Sequence, residues 1–185
     1  MAYIKVIHED EADGKLFELY DEIQRNRGRV SNILRVQSLG PKAMRAHLDL
    51  YMATVFAKHG LSRREAEMIA VAVSAANGDE YSLTHHREAL FRYAKDQAVV
   101  DALARDPRSA ELEGRERALV DYAMALTREP AKGVKAQVEA LKKAGLKDEE
   151  ILHAAQVIAY FNFANRIAVG LGVDLEPPAD RDYHY

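Results

Sequence analysis

Residues 62–76 read SRREAEMIAVAVSAA, a helix start followed by an apolar run with almost no polar side. Ser62 and Glu65 stand in the S-x-x-E capping-box arrangement, and Ala66, Met68, Ile69, Ala70, Val71, Ala72, Val73, Ala75 and Ala76 follow. A surface helix keeps one polar face, so this pattern predicts a helix from Ser62 to Ala76 that is buried among others. Asn77-Gly78 supplies its stop, and Asp79 is placed to cap a second helix through Tyr81, Leu83, Leu90 and Tyr93. The result is a tight helix-turn-helix over 62–96.

Helical spacing continues on both sides. Leu16, Leu19, Tyr20 and Ile23 fall at i, i+3, i+4 and i+7 in a helix from Ala12 to Arg27, which Gly28 stops. A helix opening at Pro41 carries Met44, Leu48, Tyr51 and Val55 as far as His59-Gly60. Between these two, Val30 to Leu39 fits a short helix or a loop. Helices then follow over Gln97–Arg105, over Glu113–Arg128 and through Val134, Val138 and Leu141, the last ended by Gly145. Asp148 is expected to cap a final helix through Ile151, Ala155, Ile158, Phe163 and Ile167, and Pro177-Pro178 to open a loose tail. Only Tyr3 to Ile7 resembles a strand. The chain of 185 residues is therefore expected to be one all-α domain, 1–185, a compact bundle of about seven to nine helices.

Composition removes several function classes. There are 26 basic and 29 acidic residues, a formal charge of −3, without the clustered positive excess of a nucleic-acid partner. No segment approaches the ~18 consecutive apolar residues of a membrane span, and the amino terminus lacks signal-peptide character. A cytoplasmic protein with no nucleic-acid and no membrane partner is expected. The cysteine count is zero, which excludes disulfides, thiolate metal sites and thiol catalysis together.

Glu67 breaks the pattern of its own helix, and such departures are expected where function resides. A carboxylate buried among apolar side chains either takes a raised pKa or finds a charged or hydrogen-bonding partner. His86 is the obvious one. In an antiparallel pair, Glu67 and His86 lie about 15 and about 10 Å from the turn at 1.5 Å per residue, close enough to meet. Ser82 shares the His86 face, four residues earlier, and Asp79 stands one turn further back. Each has a purely structural alternative. Glu67 could be satisfied by Asn162, Asn165 and Arg166 of the last helix, Asp79 could act only as an N-cap, and Ser82 could bond the first-turn backbone. His85 points about 100° away from His86. Glu67, Asp79 and His86, with His85 or His153, are also potential metal ligands, although no H-x-x-x-H spacing supports them. No cofactor is expected.

From Glu67 to His86 the sequence EMIAVAVSAANGDEYSLTHH resembles the core motif of the alkylhydroperoxidase D-like branch of the carboxymuconolactone decarboxylase superfamily. That motif runs Glu, eleven residues, Cys, two residues, Cys, three residues, His. Here those positions hold Glu67, Asp79, Ser82 and His86. The flanking GLSRREAEMIAVAVSAANG and the later YFNFANRIAVGLGVDLE resemble the longer peroxidase-related members, so the likeness spans nearly the whole chain. It implies a reaction in which the second cysteine attacks peroxide after Glu and His help remove its proton, and the first resolves the sulfenic acid. Neither step is available to Asp79 and Ser82, because neither side chain has a thiol's reversible oxidation ladder.

The resemblance therefore carries over Glu67 and His86 by position, without the redox chemistry. The expectation is acid-base catalysis by this pair on a small molecule, decarboxylase-like or isomerase-like, with Ser82 and Asp79 as further candidate catalytic groups. A non-catalytic oligomeric or ligand-binding homologue is the alternative, and peroxidase activity through another cofactor a third. Alanine-rich helix faces and the resemblance together imply a homo-oligomer, from dimer to hexamer.

Overall fold

A computed structural model of the protein describes residues 2–58 and 60–177. Among these are nine α-helices, a single 3-10 turn at Pro130–Lys132 and no strand. The helices are α1 (Gly14–Arg27), α2 (Asn32–Arg35), α3 (Pro41–Val55), α4 (Arg63–Asn77), α5 (Glu80–Ala94), α6 (Gln97–Arg105), α7 (Gly114–Arg128), α8 (Lys135–Lys143) and α9 (Asp148–Leu171). The all-α expectation and its count of helices are met. The chain divides into two compact units, one holding the residues up to Tyr51 with those from Ile167 on, the other Met52–Arg166.

The first unit is built on the amphipathic face of α1. Leu16, Leu19, Tyr20 and Ile23 pack with Val30, Leu34, Met44 and Leu48 into one buried cluster. Its amino-terminal segment corrects the strand reading of Tyr3 to Ile7. The Ile7 N–H donates to Ser38 Oγ at 2.9 Å, and the Ile7 carbonyl accepts from the Tyr20 hydroxyl at 2.9 Å. The Tyr3 N–H donates to the Leu171 carbonyl. These backbone groups find side chains and a helix end instead of a neighbouring strand, so no ladder forms. Val30 to Leu39, open between helix and loop, contains the four-residue α2.

The second unit forms around α4. Its residues from Glu65 through Ser74 are all buried, and Met68, Val71 and Ala72 pack with Leu83, Leu90, Val100, Leu103, Val120 and Met124 from α5, α6 and α7. The capping box closes as expected: the Glu65 N–H donates to Ser62 Oγ, and Glu65 Oε2 accepts from the Ser62 N–H at 2.8 Å. Arg115 of α7 pairs with Glu65 and also reaches Glu150 of α9 at 2.7 Å, so one guanidinium ties the starts of three helices. Gly78 ends α4 at φ +67°, a conformation in which a Cβ would be strained.

Two expected boundaries shift. Asp148 is the first residue of α9 and not its cap, because Glu150 reaches back to the Lys147 N–H at 2.7 Å. The stop expected at His59-Gly60 falls partly on His59, outside the described residues; α3 ends at Val55. The tail expected at Pro177-Pro178 likewise lies outside them from Pro178 onward. No helix among the described residues is long and apolar enough to cross a membrane.

Candidate functional site

Glu67 sits one turn into α4 on the side that meets α5, and its side chain is 0% exposed. A bare carboxylate there would forfeit its hydration, so its stability depends on what surrounds its two oxygens. Each has a partner. Arg63, one turn earlier on the same helix, donates from Nε to Oε1 at 2.7 Å, and His86 of α5 places Nδ1 at 2.6 Å from Oε2. Burial pushes the Glu67 carboxyl up, but the charges and hydrogen bonds of His86 and Arg63 outweigh it and hold the group below the usual carboxylate range. Of the two outcomes open in the sequence, the structure has the second: an ionised acid with partners.

An ionised Glu67 settles the direction of the short contact to His86. A carboxylate only accepts, so Nδ1 carries the hydrogen and Nε2 is the ring atom outside that contact. The ring is further fixed edge-on against Phe161 of α9, with centroids 4.6 Å apart at 84°. His86 is 12% exposed and Arg63 17%. The partly exposed members of the site are thus the His86 ring and the Arg63 guanidinium, and its single carboxylate is buried behind them. The Arg63 guanidinium lies 3.7 Å over the Phe56 ring, with the Tyr93 ring at 5.9 Å.

Asp79 is the cap of α5, and Ser82 lies in its first turn, one turn before His86. Asp79 Oδ1 accepts from the Tyr81 and Ser82 N–H groups at 3.1 and 3.3 Å, and its Oδ2 accepts from Asn165 Nδ2 at 2.7 Å. It is a buried cap with both oxygens committed. Asn165 also reaches Ser74 Oγ, and the Asn77 amide donates to Asn165 and Asn162. Asn162, Asn165 and Arg166 were the partners expected for a purely structural Glu67. Asn162 and Asn165 serve Asp79 and Asn77 instead, and Arg166 bonds back to Asn162 at 2.8 Å. His85 stacks edge-on with Tyr81.

His153, the fifth potential ligand, is a strut. Its Nδ1 accepts from the Leu61 N–H at 3.0 Å and its Nε2 donates to the Thr54 carbonyl at 2.7 Å, which specifies the neutral Nε2–H tautomer. No group of three or more His, Asp and Glu side chains suited to a metal converges among the described residues. Arg63 is the member that the sequence reading missed. Its signal was its place four residues before Glu67, one turn away on the same helix face.

Residues 41–109 match the model of the Carboxymuconolactone decarboxylase family. Over those residues the chain, which has no cysteine, is similar to that family. Its fold matches that of an uncharacterized peroxidase-related protein from Ralstonia eutropha with an alkylhydroperoxidase AhpD core, at TM-score 0.83 and 28% identity, over 95% of this chain and 92% of that one. An uncharacterized peroxidase-related protein from Silicibacter sp. follows at TM-score 0.79 and 29% identity, over 89% and 88%. A putative antioxidant defence protein AhpD from Agrobacterium tumefaciens, of unknown function, is similar at TM-score 0.68 and 25% identity, over 76% of this chain and 95% of that one. No curated protein sequence matches the chain significantly. The likeness extends across both units of the fold, and the cysteine-free composition makes this chain chemically distinct from any thiol enzyme built on it.

Proposed function

We propose that the protein catalyses proton transfer on a small molecule, with His86 as the acid-base group and Glu67 as its anionic partner. The 2.6 Å contact between His86 Nδ1 and a fully buried, ionised Glu67 carries this reading. His86 Nε2 removes a proton from a substrate carbon, and the imidazolium so formed is stabilised by Glu67. Return of that proton to a second carbon completes an isomerisation. In the decarboxylase-like variant, the C–C bond to a carboxylate breaks, its electron pair stays on the substrate carbon as CO2 leaves, and protonated His86 delivers a proton there. Thiol peroxidase chemistry has no place in this reading.

The test is turnover of a panel of small β-keto acids, lactone acids and enolisable ketones by the wild type, His86→Gln and Glu67→Gln. General acid-base catalysis is worth roughly 10²–10⁴-fold, so His86→Gln should fall by at least two orders of magnitude on any substrate the wild type turns over. Equal rates for the wild type and His86→Gln would overturn the proposal. The complete burial of Glu67 and the satisfaction of both its oxygens favour a second reading, a non-catalytic homologue that binds a ligand or serves as an oligomeric scaffold. That reading expects binding without turnover.

Self-association and a cytoplasmic setting belong to the same proposal. Leu152 and Phe163, eleven residues apart and so on one face of α9, are large exposed apolar side chains that support subunit packing. Light scattering on the purified protein should give a mass of at least twice 20.7 kDa.

A further inference from the structure

Arg63 lies one turn before Glu67, and its contacts go beyond neutralising a charge. Nε holds Glu67 Oε1 at 2.7 Å, the guanidinium plane lies 3.7 Å over Phe56, and Tyr93 flanks it at 5.9 Å. The aromatic contacts restrict the guanidinium, and through the Nε bond they restrict the rotation of the carboxylate. With Oε1 held, Oε2 is the oxygen directed at His86, where it meets Nδ1 at 2.6 Å. Phe161 packs edge-on against the same ring. A neutral histidine has two tautomers, and which nitrogen is available to a substrate depends on which one the second partner holds.

Resting on the acid-base reading above, we propose that Arg63 is a positioning residue of the site: by fixing the Glu67 carboxylate it keeps neutral His86 in the Nδ1–H form, with Nε2 as the proton-accepting atom. The arrangement is related in logic to a carboxylate that orients a catalytic imidazole, with one further link behind it. Arg63 does not touch substrate in this account. Lysine, whose ammonium can also meet Oε1, should preserve the effect in part, whereas glutamine, without the charge and the aromatic stacking, should not.

The experiment is nitrogen-15 NMR of the histidine rings in full-length protein, at a pH where the imidazoles are neutral, for the wild type, Arg63→Gln and Arg63→Lys. His86 is identified by its loss in His86→Gln. The expected result is a pure Nδ1–H pattern for wild-type His86, a mixture of both tautomers in Arg63→Gln and a predominantly wild-type pattern in Arg63→Lys. Where a substrate is in hand, Arg63→Gln should lower kcat by about tenfold or more with KM little changed. A wild-type His86 found as Nε2–H would overturn the proposal without any variant. So would a folded Arg63→Gln that keeps the pure wild-type pattern. The tautomer is read without turnover, so failure of the acid-base reading, an inert panel with the expected NMR pattern, is distinct from failure of this one.

Discussion

Two buried polar residues, His47 and Asp79, show how burial and hydrogen bonding set what a side chain does. His47 in α3 is enclosed, and its Nδ1 accepts from Gln37 Nε2 at 2.8 Å, while the same amide donates to the Ile33 carbonyl. Burial pushes His47 down from 6.5 to about 4. Between those values the unfolded chain binds the proton that the folded one refuses, so stability must fall as the pH drops through that window and be level above it. The shift corresponds to about 3 kcal/mol at most. Urea unfolding at pH 7 and pH 4 should show this loss in the wild type, and a His47→Phe variant should show a loss smaller by about that amount. Asp79 is the second case. It occupies a position where the resemblance would place a thiol, yet it bonds two N–H groups and Asn165. Asp79→Ala should cost about 1–2 kcal/mol in denaturant unfolding, and Asp79→Asn, which retains a capping oxygen, distinctly less. Glu67 itself was legible from sequence as an anomaly, since a carboxylate amid alanines and valines is conspicuous. The identity of its partners was only half legible, because arginine at i−4 and three amide or cationic side chains on α9 were chemically equivalent choices.

At the scale of elements, start and stop signals placed the helices to within a few residues, because caps are local chemistry. The capping box at Ser62, the left-handed Gly78 and the Asp79 cap could all be read from adjacent residues. Contacts between distant segments could not. His153 joins α9 to the carbonyl of Thr54 and the N–H of Leu61, partners more than ninety residues away that no periodicity reveals. It also explains Gly60: at φ +76°, a Cβ there would stand 2.6 Å from His153 Nδ1. His153→Leu leaves two buried backbone groups without their partner and should cost about 2–4 kcal/mol. Gly60→Ala should destabilise as well, through both backbone strain and this clash, and the two losses should be less than additive in a double-mutant cycle because they act on one contact. Asp148 shows the limit of cap signals: where Lys147, Asp148 and Glu150 compete, the longer glutamate reaches back and Asp148 becomes the first helical residue.

For the whole molecule, fold and chemistry part company. The fold follows from helical periodicity and the likeness to the family from motif spacing over 41–109, both of which tolerate replacement of two residues. The division into two compact units was not legible, because an apolar face at helical spacing does not say which neighbours it chooses. Thiol peroxidase chemistry, by contrast, depends on the atoms at those two positions. The protein should reduce hydrogen peroxide with a dithiol no faster than buffer does, and its unfolding midpoint should be the same with and without reductant. The acid-base account makes a positive claim that peroxide assays cannot reach, and deuterium uptake reaches it most directly. Proton NMR of enolisable substrates in deuterium oxide reports whether a C–H bond is opened and closed, even where no net product forms. The account predicts site-specific loss of a C–H signal with wild-type protein, falling at least a hundredfold in His86→Gln. Exchange that persists unchanged in His86→Gln would contradict it.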